Sequence, residues 1–232
     1  MRKHAIAFAL FAAVAAVGTA RAETPRANAG GPGGKLKDAT AVYRELITAT
    51  DKAIPKELLD HAKCIAVLPG VIKAAIGLGA RHGTGVMACR TESGWSRPAF
   101  VSISGGSWGL QLGAQSSDIV LFFMNDRGAR SLVDGSRVTL GGQASVAAGP
   151  FGRSAEAATN LDFKAEIYSY AKSKGLFAGL SLEGAELRPS NDDNKDYYGG
   201  PVTTTELLFS ASPANLPVEA LTFQQALPQA TP

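Results

Sequence analysis

Residues 64–115 read CIAVLPGVIKAAIGLGARHGTGVMACRTESGWSRPAFVSISGGSWGLQLGAQ, and their pattern decides the fold. Apolar residues alternate with small or polar ones, and ten glycines fall within these 52 residues. Alternation over short runs bounded by Gly, Pro and Ser marks half-buried antiparallel strands. Glycines inside such runs mark bulges, tight bends or close backbone approach. Ile65–Leu68 reads as a buried strand closed by Pro69-Gly70. Ala74–Arg81 and Thr84–Arg90 flank His82-Gly83, read as a two-residue hairpin turn. That register sets Ile76 opposite Cys89 and Leu78 opposite Met87.

Outward from this core Ala99–Ser104, Trp108–Gln115 and Asp118–Phe123 continue the strand series. Asp126–Asp134 has the character of a short connecting helix. Asp162–Lys172 alternates with period two and reads as a strand, which Ser173-Lys174-Gly175 turns back into Leu176–Leu187. NDDNKDYYG, residues 191–199, lacks the glycine and terminal glutamate offsets of a calcium loop and reads as a solvated polar loop. LLFSASPANLPVEALTFQQAL, residues 207–227, reads as a helix and tail docked on the sheet. The expected fold is α+β: a single domain with a strongly bent, mainly antiparallel sheet, open to partial closure, and peripheral helices at both ends of the chain.

Upstream of the core, Leu36, Val42, Leu46 and Ile54 share one face of an amphipathic helix, with Tyr43 and Ile47 beside it. Lys37, Arg44, Glu45 and Asp51 fill the rest. Before it, residues 23–35 form a Gly/Pro-rich leader expected to be flexible. Residues 1–22 carry a basic start, an apolar run from Ala5 to Val17 and an A-x-A site at Ala20 and Ala22, the pattern of a cleaved signal peptide. Export, to the periplasm or beyond, is therefore expected. The domain is placed at residues 36–227, with 228–232 as a frayed tail.

The formal charge is +3, but loss of Arg2, Lys3 and Arg21 with the leader leaves twenty basic against twenty acidic residues. No global basic field for nucleic acid remains. Cys64 and Cys89 form an even pair in an oxidising compartment, so a disulfide is expected, with two buried thiols as the alternative. With only His61 and His82 in the mature chain, no metal site or cofactor is indicated. Gly105-Gly106-Ser107-Trp108-Gly109 has the G-x-S-x-G form, yet no histidine follows it and a strand, not a helix, comes next. No catalytic residue is assigned.

The blocks AKCIAVLPGVIKAAIGLGARHGTGVMACR, GWSRPAF, GGSWGLQLGAQSSDIVLFF, LGGQASVAAGPFGR and YSYAKSKGLFAGLSLEG, with YYG beyond, stand in an order that resembles the SYLF lipid-binding domain family. The resemblance spans about Leu36 to Leu227. It implies a single non-enzymatic domain that binds phospholipids; eukaryotic members are linked to phosphoinositides, membrane remodelling and actin. By position, Lys37, Val42, Tyr43, Arg44, Leu46, Ile47 and Lys73 correspond to the lipid-contacting helix and its neighbourhood. Where eukaryotic members are richer in lysine, this chain has Ala39, Thr40 and Ala41. Lys164, Lys172 and Lys174 form a second candidate basic face. The expected partner is a membrane surface with anionic head groups, to which the exported protein binds peripherally, and actin is not expected for an exported chain. The alternative is a structural or protein-partner module of the cell envelope, whose helix packs inward.

Overall fold

A computed structural model describes residues 30–49, 54–76, 78–108, 113–150, 164–173, 176–210 and 215–229. Four long strands follow from the alternating core: β1 (Cys64–Ile76), β2 (Leu78–Thr91), β4 (Ala99–Trp108) and β5 (Gly113–Phe123), with the two-residue β3 (Gly94–Trp95) beside β2. Further strands are β6 (Val138–Thr139), β7 (Val146–Ala148), β8 (Ile167–Ser173), β9 (Leu176–Gly179) and β10 (Glu186–Pro189). The sheet order is β6-β10-β4-β2-β1-β5-β8-β7, with β9 added to β8; all pairs are antiparallel except β7 with β8.

This sheet curls into a half-barrel. α3 (Asp126–Asp134) leaves β5 yet also touches β6 and β10 at the other side of the strand path. Only residues 140–145 separate β6 from β7, and six residues reach about 20 Å at most, so the two ends of that path lie close together. Inside the curl pack Cys64, Ala66, Leu68, Met87, Val101, Ile119 and Leu121, joined by Leu132 of α3 and by Leu207 and Leu208 of α5 (Thr204–Phe209). The outer face of the same strands, through Ile65, Val67, Val86, Phe100, Val120 and Phe122, is covered by α1 (Pro32–Thr48) and α6 (Val218–Ala226). Burial of the strands on both faces at this end explains the continuous apolar runs at Ile65–Leu68 and Ile119–Phe123.

One irregularity sets the geometry of everything beyond it. Between Leu68 and Val71 β1 carries one residue more than β5, and between Val67 and Ile72 one more than β2, which defines a β-bulge at Pro69-Gly70. Proline offers no N–H to a ladder, and Gly70 takes φ +61, a value natural to glycine. The Gly70 N–H donates to Asp118 Oδ1 at 2.9 Å, so the bulge keeps its polar group paired. Opposite, β2 supplies Gly85 and Gly83. A Cβ on Gly85 would stand 2.1 Å from the Val67 carbonyl oxygen, and one on Gly83 2.7 Å from Val71 Cγ2. The extra residue also reverses side-chain parity: Cys64, Ala66 and Leu68 face inward before it, Val71 and Lys73 after it.

Several sequence expectations change here. The strand does not close at Pro69-Gly70, and the hairpin does not turn at His82-Gly83. β1 and β2 meet with Ile76 paired to Leu78, and Cys89 faces Cys64 rather than Ile76. Gly83 serves close approach within a strand, not a turn. The expected strand 176–187 is split into β9 and β10, with residues 180–185 between them. The polar segment NDDNKDYY is a helix, α4 (Asn191–Tyr198), anchored by buried Asn194, which accepts from the Phe100 N–H at 2.7 Å, and ended by Gly199 in the left-handed region. α1 begins at Pro32, inside the expected flexible leader, whereas the short helix α2 (Lys56–His61) lies after Pro55, where the sequence KELLDHA places it. The helix at Asp126–Asp134 lies where the sequence places it, with Asn125 as its N-cap accepting from the Arg127 N–H.

Cys64 and Cys89, register partners with Cα atoms 3.9 Å apart, are disulfide-bonded at the covered end of the sheet. The bulge leads to a stability prediction. Gly85→Ala forces a Cβ into backbone and should cost about 3 kcal/mol, lowering Tm by roughly 10 °C. Gly106→Ala meets nothing within 4 Å and should leave Tm unchanged. Thermal unfolding of both variants checks the contrast.

Candidate functional site

Past the bulge, β1, β2, β4 and β5 run on beyond the helices, and the two faces of this far end differ from the covered end. On the outer face Ile72 is 51% exposed, and Ala74, Ala80, His82 and Ala114 are exposed around it. The register sets Ile72 between His82 and Ser116, and Ala74 between Ala80 and Ala114. Residues on the same face nearer the helices, such as Ile65 and Val67, are fully buried. Among the described side chains, the far end therefore offers a small-residue surface around the large aliphatic Ile72.

The inner face of the far end holds a pocket of about 320 Å³. Its base is apolar, from Val71, Ile119, Ala171 and Leu180, and its polar lining includes Lys73, Arg81, Gln115 and Ser117. Lys73 and Arg81 are direct register partners, and Gln115 pairs with Lys73 on the other side. Gln115 Nε2 donates to Ser173 Oγ at 2.6 Å, which fixes the amide. Burial pulls the Arg81 guanidinium below its usual range, though an arginine so placed stays charged at neutral pH. A second groove, near 470 Å³, lies among α4, α5 and α6 beside Arg97, Tyr197 and Tyr198. There Tyr198 donates to the Pro98 carbonyl at 2.7 Å and Arg97 to the Glu206 carbonyl at 3.3 Å, contacts that join elements of the fold.

The candidate residues of the sequence do not gather at one place. Val42, Tyr43 and Leu46 are at most 1% exposed and pack on the sheet. Burial pushes the Tyr43 phenol well above its usual range. Lys37, Arg44 and Ile47 lie on the outward side of α1, Ile47 at 43% exposure. The helix is held at three points by ion pairs: Lys35 with Asp193 of α4 at 2.7 Å, Lys37 with Glu219 of α6 at 3.4 Å, and Glu45 with Lys172 of β8. Lys172 thus serves the fold, and its ammonium also lies over the Phe177 ring. Lys164 is exposed ahead of β8, and Lys174 lies outside the described residues. Lys73 alone of the set reaches the pocket, on the face opposite to α1.

Ser107 sits within β4 opposite Gly79, in a strand rather than an elbow. Among the described residues no group of three His, Cys, Asp or Glu could hold a metal, and no helix is long and apolar enough to cross a membrane. Arg81, Gln115 and Ser117 were not singled out by the sequence. The signal was present: Lys73 and Arg81 are equidistant from residue 77, where β1 and β2 join.

Residues 104–230 match a protein family described as "Ysc84: Las17-binding protein actin regulator". The chain is 37% identical over 193 residues to SH3 domain-containing YSC84-like protein 1 of Rattus norvegicus, covering 81% of this chain and 56% of that protein. It is 35% identical over 182 residues to Protein YSC84 of Saccharomyces cerevisiae, 75% of this chain and 39% of that one. It is also 35% identical over 173 residues to LAS seventeen-binding protein 3 of Saccharomyces cerevisiae, 73% of this chain and 38% of that protein. The chain thus spans about half the length of the vertebrate relatives and less of the yeast ones. These findings correct the partner expectation. A phospholipid surface with actin set aside gives way to a family described by a protein partner and by actin regulation.

The buried face of α1 can be tested directly. Leu46→Asp places a carboxylate in a fully buried site and should cost several kcal/mol, lowering Tm by roughly 10 °C or more. Ile47→Asp, on the outward side, should shift Tm by no more than about 2 °C. Parental stability in Leu46→Asp would contradict the inward packing of the helix.

Proposed function

The chain belongs to the Ysc84 family, and from that premise we propose that it is a non-catalytic binding module whose partner is a protein, held on the bare outer face at the far end of the sheet. The observation that carries this reading is the exposure of Ile72 among Ala74, Ala80 and Ala114, on a face whose apolar residues nearer the helices, such as Ile65 and Val67, are fully buried. An exposed apolar patch beside the covered part of the sheet marks an interaction surface. Small side chains around an aliphatic anchor such as Ile72 let a second protein surface approach closely and exclude water. β1 and β2 already have neighbours on both sides, so recognition here is by the face of the sheet and not by strand addition.

Export belongs to the same proposal. It is supported by the leader pattern of residues 1–22 and by the Cys64–Cys89 bond, which persists in oxidising compartments. Membrane insertion by the apolar side of α1 does not belong to it. Releasing Leu36, Val42, Tyr43 and Leu46 from the core would cost roughly 6–12 kcal/mol at 1.5–3 kcal/mol each, before any contact with lipid is made.

The purified chain is to be incubated with Las17, with filamentous actin, and with phosphatidylcholine–phosphatidylserine vesicles, and bound protein measured after capture or sedimentation. Saturable binding to one of the two proteins is expected, weakened about tenfold or more by Ile72→Asp in a variant whose Tm matches the parent. Binding to neither protein, or binding that survives Ile72→Asp unchanged, would overturn the proposal.

A further inference from the structure

Lys73 and Arg81 stand directly opposite each other on the inner face, with side chains sharing one pocket. Like charges in register across two strands are destabilising, and partial burial of Arg81 adds to the cost. Ion pairs elsewhere hold Lys35, Lys37 and Lys172, yet among the described residues neither Lys73 nor Arg81 has a carboxylate partner. Among the described residues lining the pocket none is acidic. Two adjacent cations without an anion, set by a bulge that turns Lys73 inward, are a cost the fold itself gains nothing from.

The rest of the lining says what would relieve it. Behind the cations lies an aliphatic surface of Val71, Ile119, Ala171 and Leu180, flanked by Leu176. The hydroxyl of Ser117 and the fixed amide of Gln115 lie on the polar side. At about 320 Å³ the volume is at the small end of the roughly 300–1,000 Å³ typical of small-molecule sites. A phosphate alone would leave the apolar base empty, and an uncharged hydrocarbon would leave the cations unpaired. We infer that the pocket binds a small amphipathic carboxylate, with the head group between Lys73 and Arg81 and a short aliphatic body on Ile119 and Leu180. A carboxylate accepts charge-assisted hydrogen bonds from both cations, and arginine can offer it two parallel donors. This site is on the face opposite to Ile72 and stands independently of the protein-binding surface.

The test uses the full chain and three probes, read by calorimetric titration and by thermal shift: sodium octanoate, 1-octanol, which keeps the body without the charge, and acetate, which keeps the charge without the body. Octanoate should bind with one-to-one saturation, about tenfold or more tighter than either other probe, and should raise Tm. Arg81→Gln and Lys73→Gln should each weaken octanoate about tenfold. Because removal of one cation relieves the repulsion, Lys73→Gln should also be no less stable than the parent without ligand. Octanoate binding no tighter than octanol or acetate would overturn the inference. So would undiminished affinity in a folded Lys73→Gln protein, or the absence of any saturable binding.

Discussion

The bulge at Pro69-Gly70 is the constraint on which both faces of this sheet depend. One extra residue in β1 changes which side chains point inward for the remainder of the strand. Without it, Ile72 would continue the inward row of Cys64, Ala66 and Leu68, and Lys73 would lie outside. With it, the aliphatic side chain is set in solvent and the cation in a pocket. The feature is secured from three sides. Gly70 supplies the positive φ, Asp118 on β5 takes the otherwise unpaired N–H, and Gly83 and Gly85 on β2 leave room for a strand that leans across them. A lone irregularity would be a local defect. A glycine in the bulge itself and matched responses on both neighbouring strands make it a defined element of the fold.

The amphipathic helix at the start of the domain has a different role from the one its periodicity suggests. An apolar stripe is equally suited to a membrane boundary and to a protein core, because both reward removal of the same side chains from water. Here the core wins, and the polar flanks of α1 reinforce the choice through ion pairs to α4, α6 and β8. Individual surface pairs contribute little, so burial holds the helix and the pairs fix its placement. The covered end of the sheet, with its disulfide and two packed faces, is thus scaffold, while the uncovered end presents chemistry.

Much of this was legible in the chain. The strand series through Ala99–Ser104 and Asp118–Phe123 lies within β4 and β5, Asp126–Asp134 is α3, and the even cysteine pair expected in an oxidising compartment is bonded. What escaped had physical reasons. Glycine marks both turns and close contacts, so His82-Gly83 resembles a hairpin although Gly83 lies under Val71 within β2. Pro-Gly normally stops a strand, so the bulge was read as an end. The segment NDDNKDYY looks solvated because the decisive contact, Asn194 with the backbone of Phe100, joins residues 94 positions apart. The pocket escaped with the turn: once β1 and β2 join at residue 77, the pairing of Lys73 with Arg81 follows by counting.

The parity reversal can be read without mutation from the isoleucine δ1 methyl groups of the isotopically labelled chain, by NMR relaxation in the presence of a soluble paramagnetic agent. Ile72 should relax strongly, together with the exposed Ile47, whereas Ile65, Ile103 and Ile119 should be protected. An Ile72 methyl as protected as Ile65 would show that the strand runs through Pro69-Gly70 without changing face, and would contradict the account of both the outer surface and the pocket.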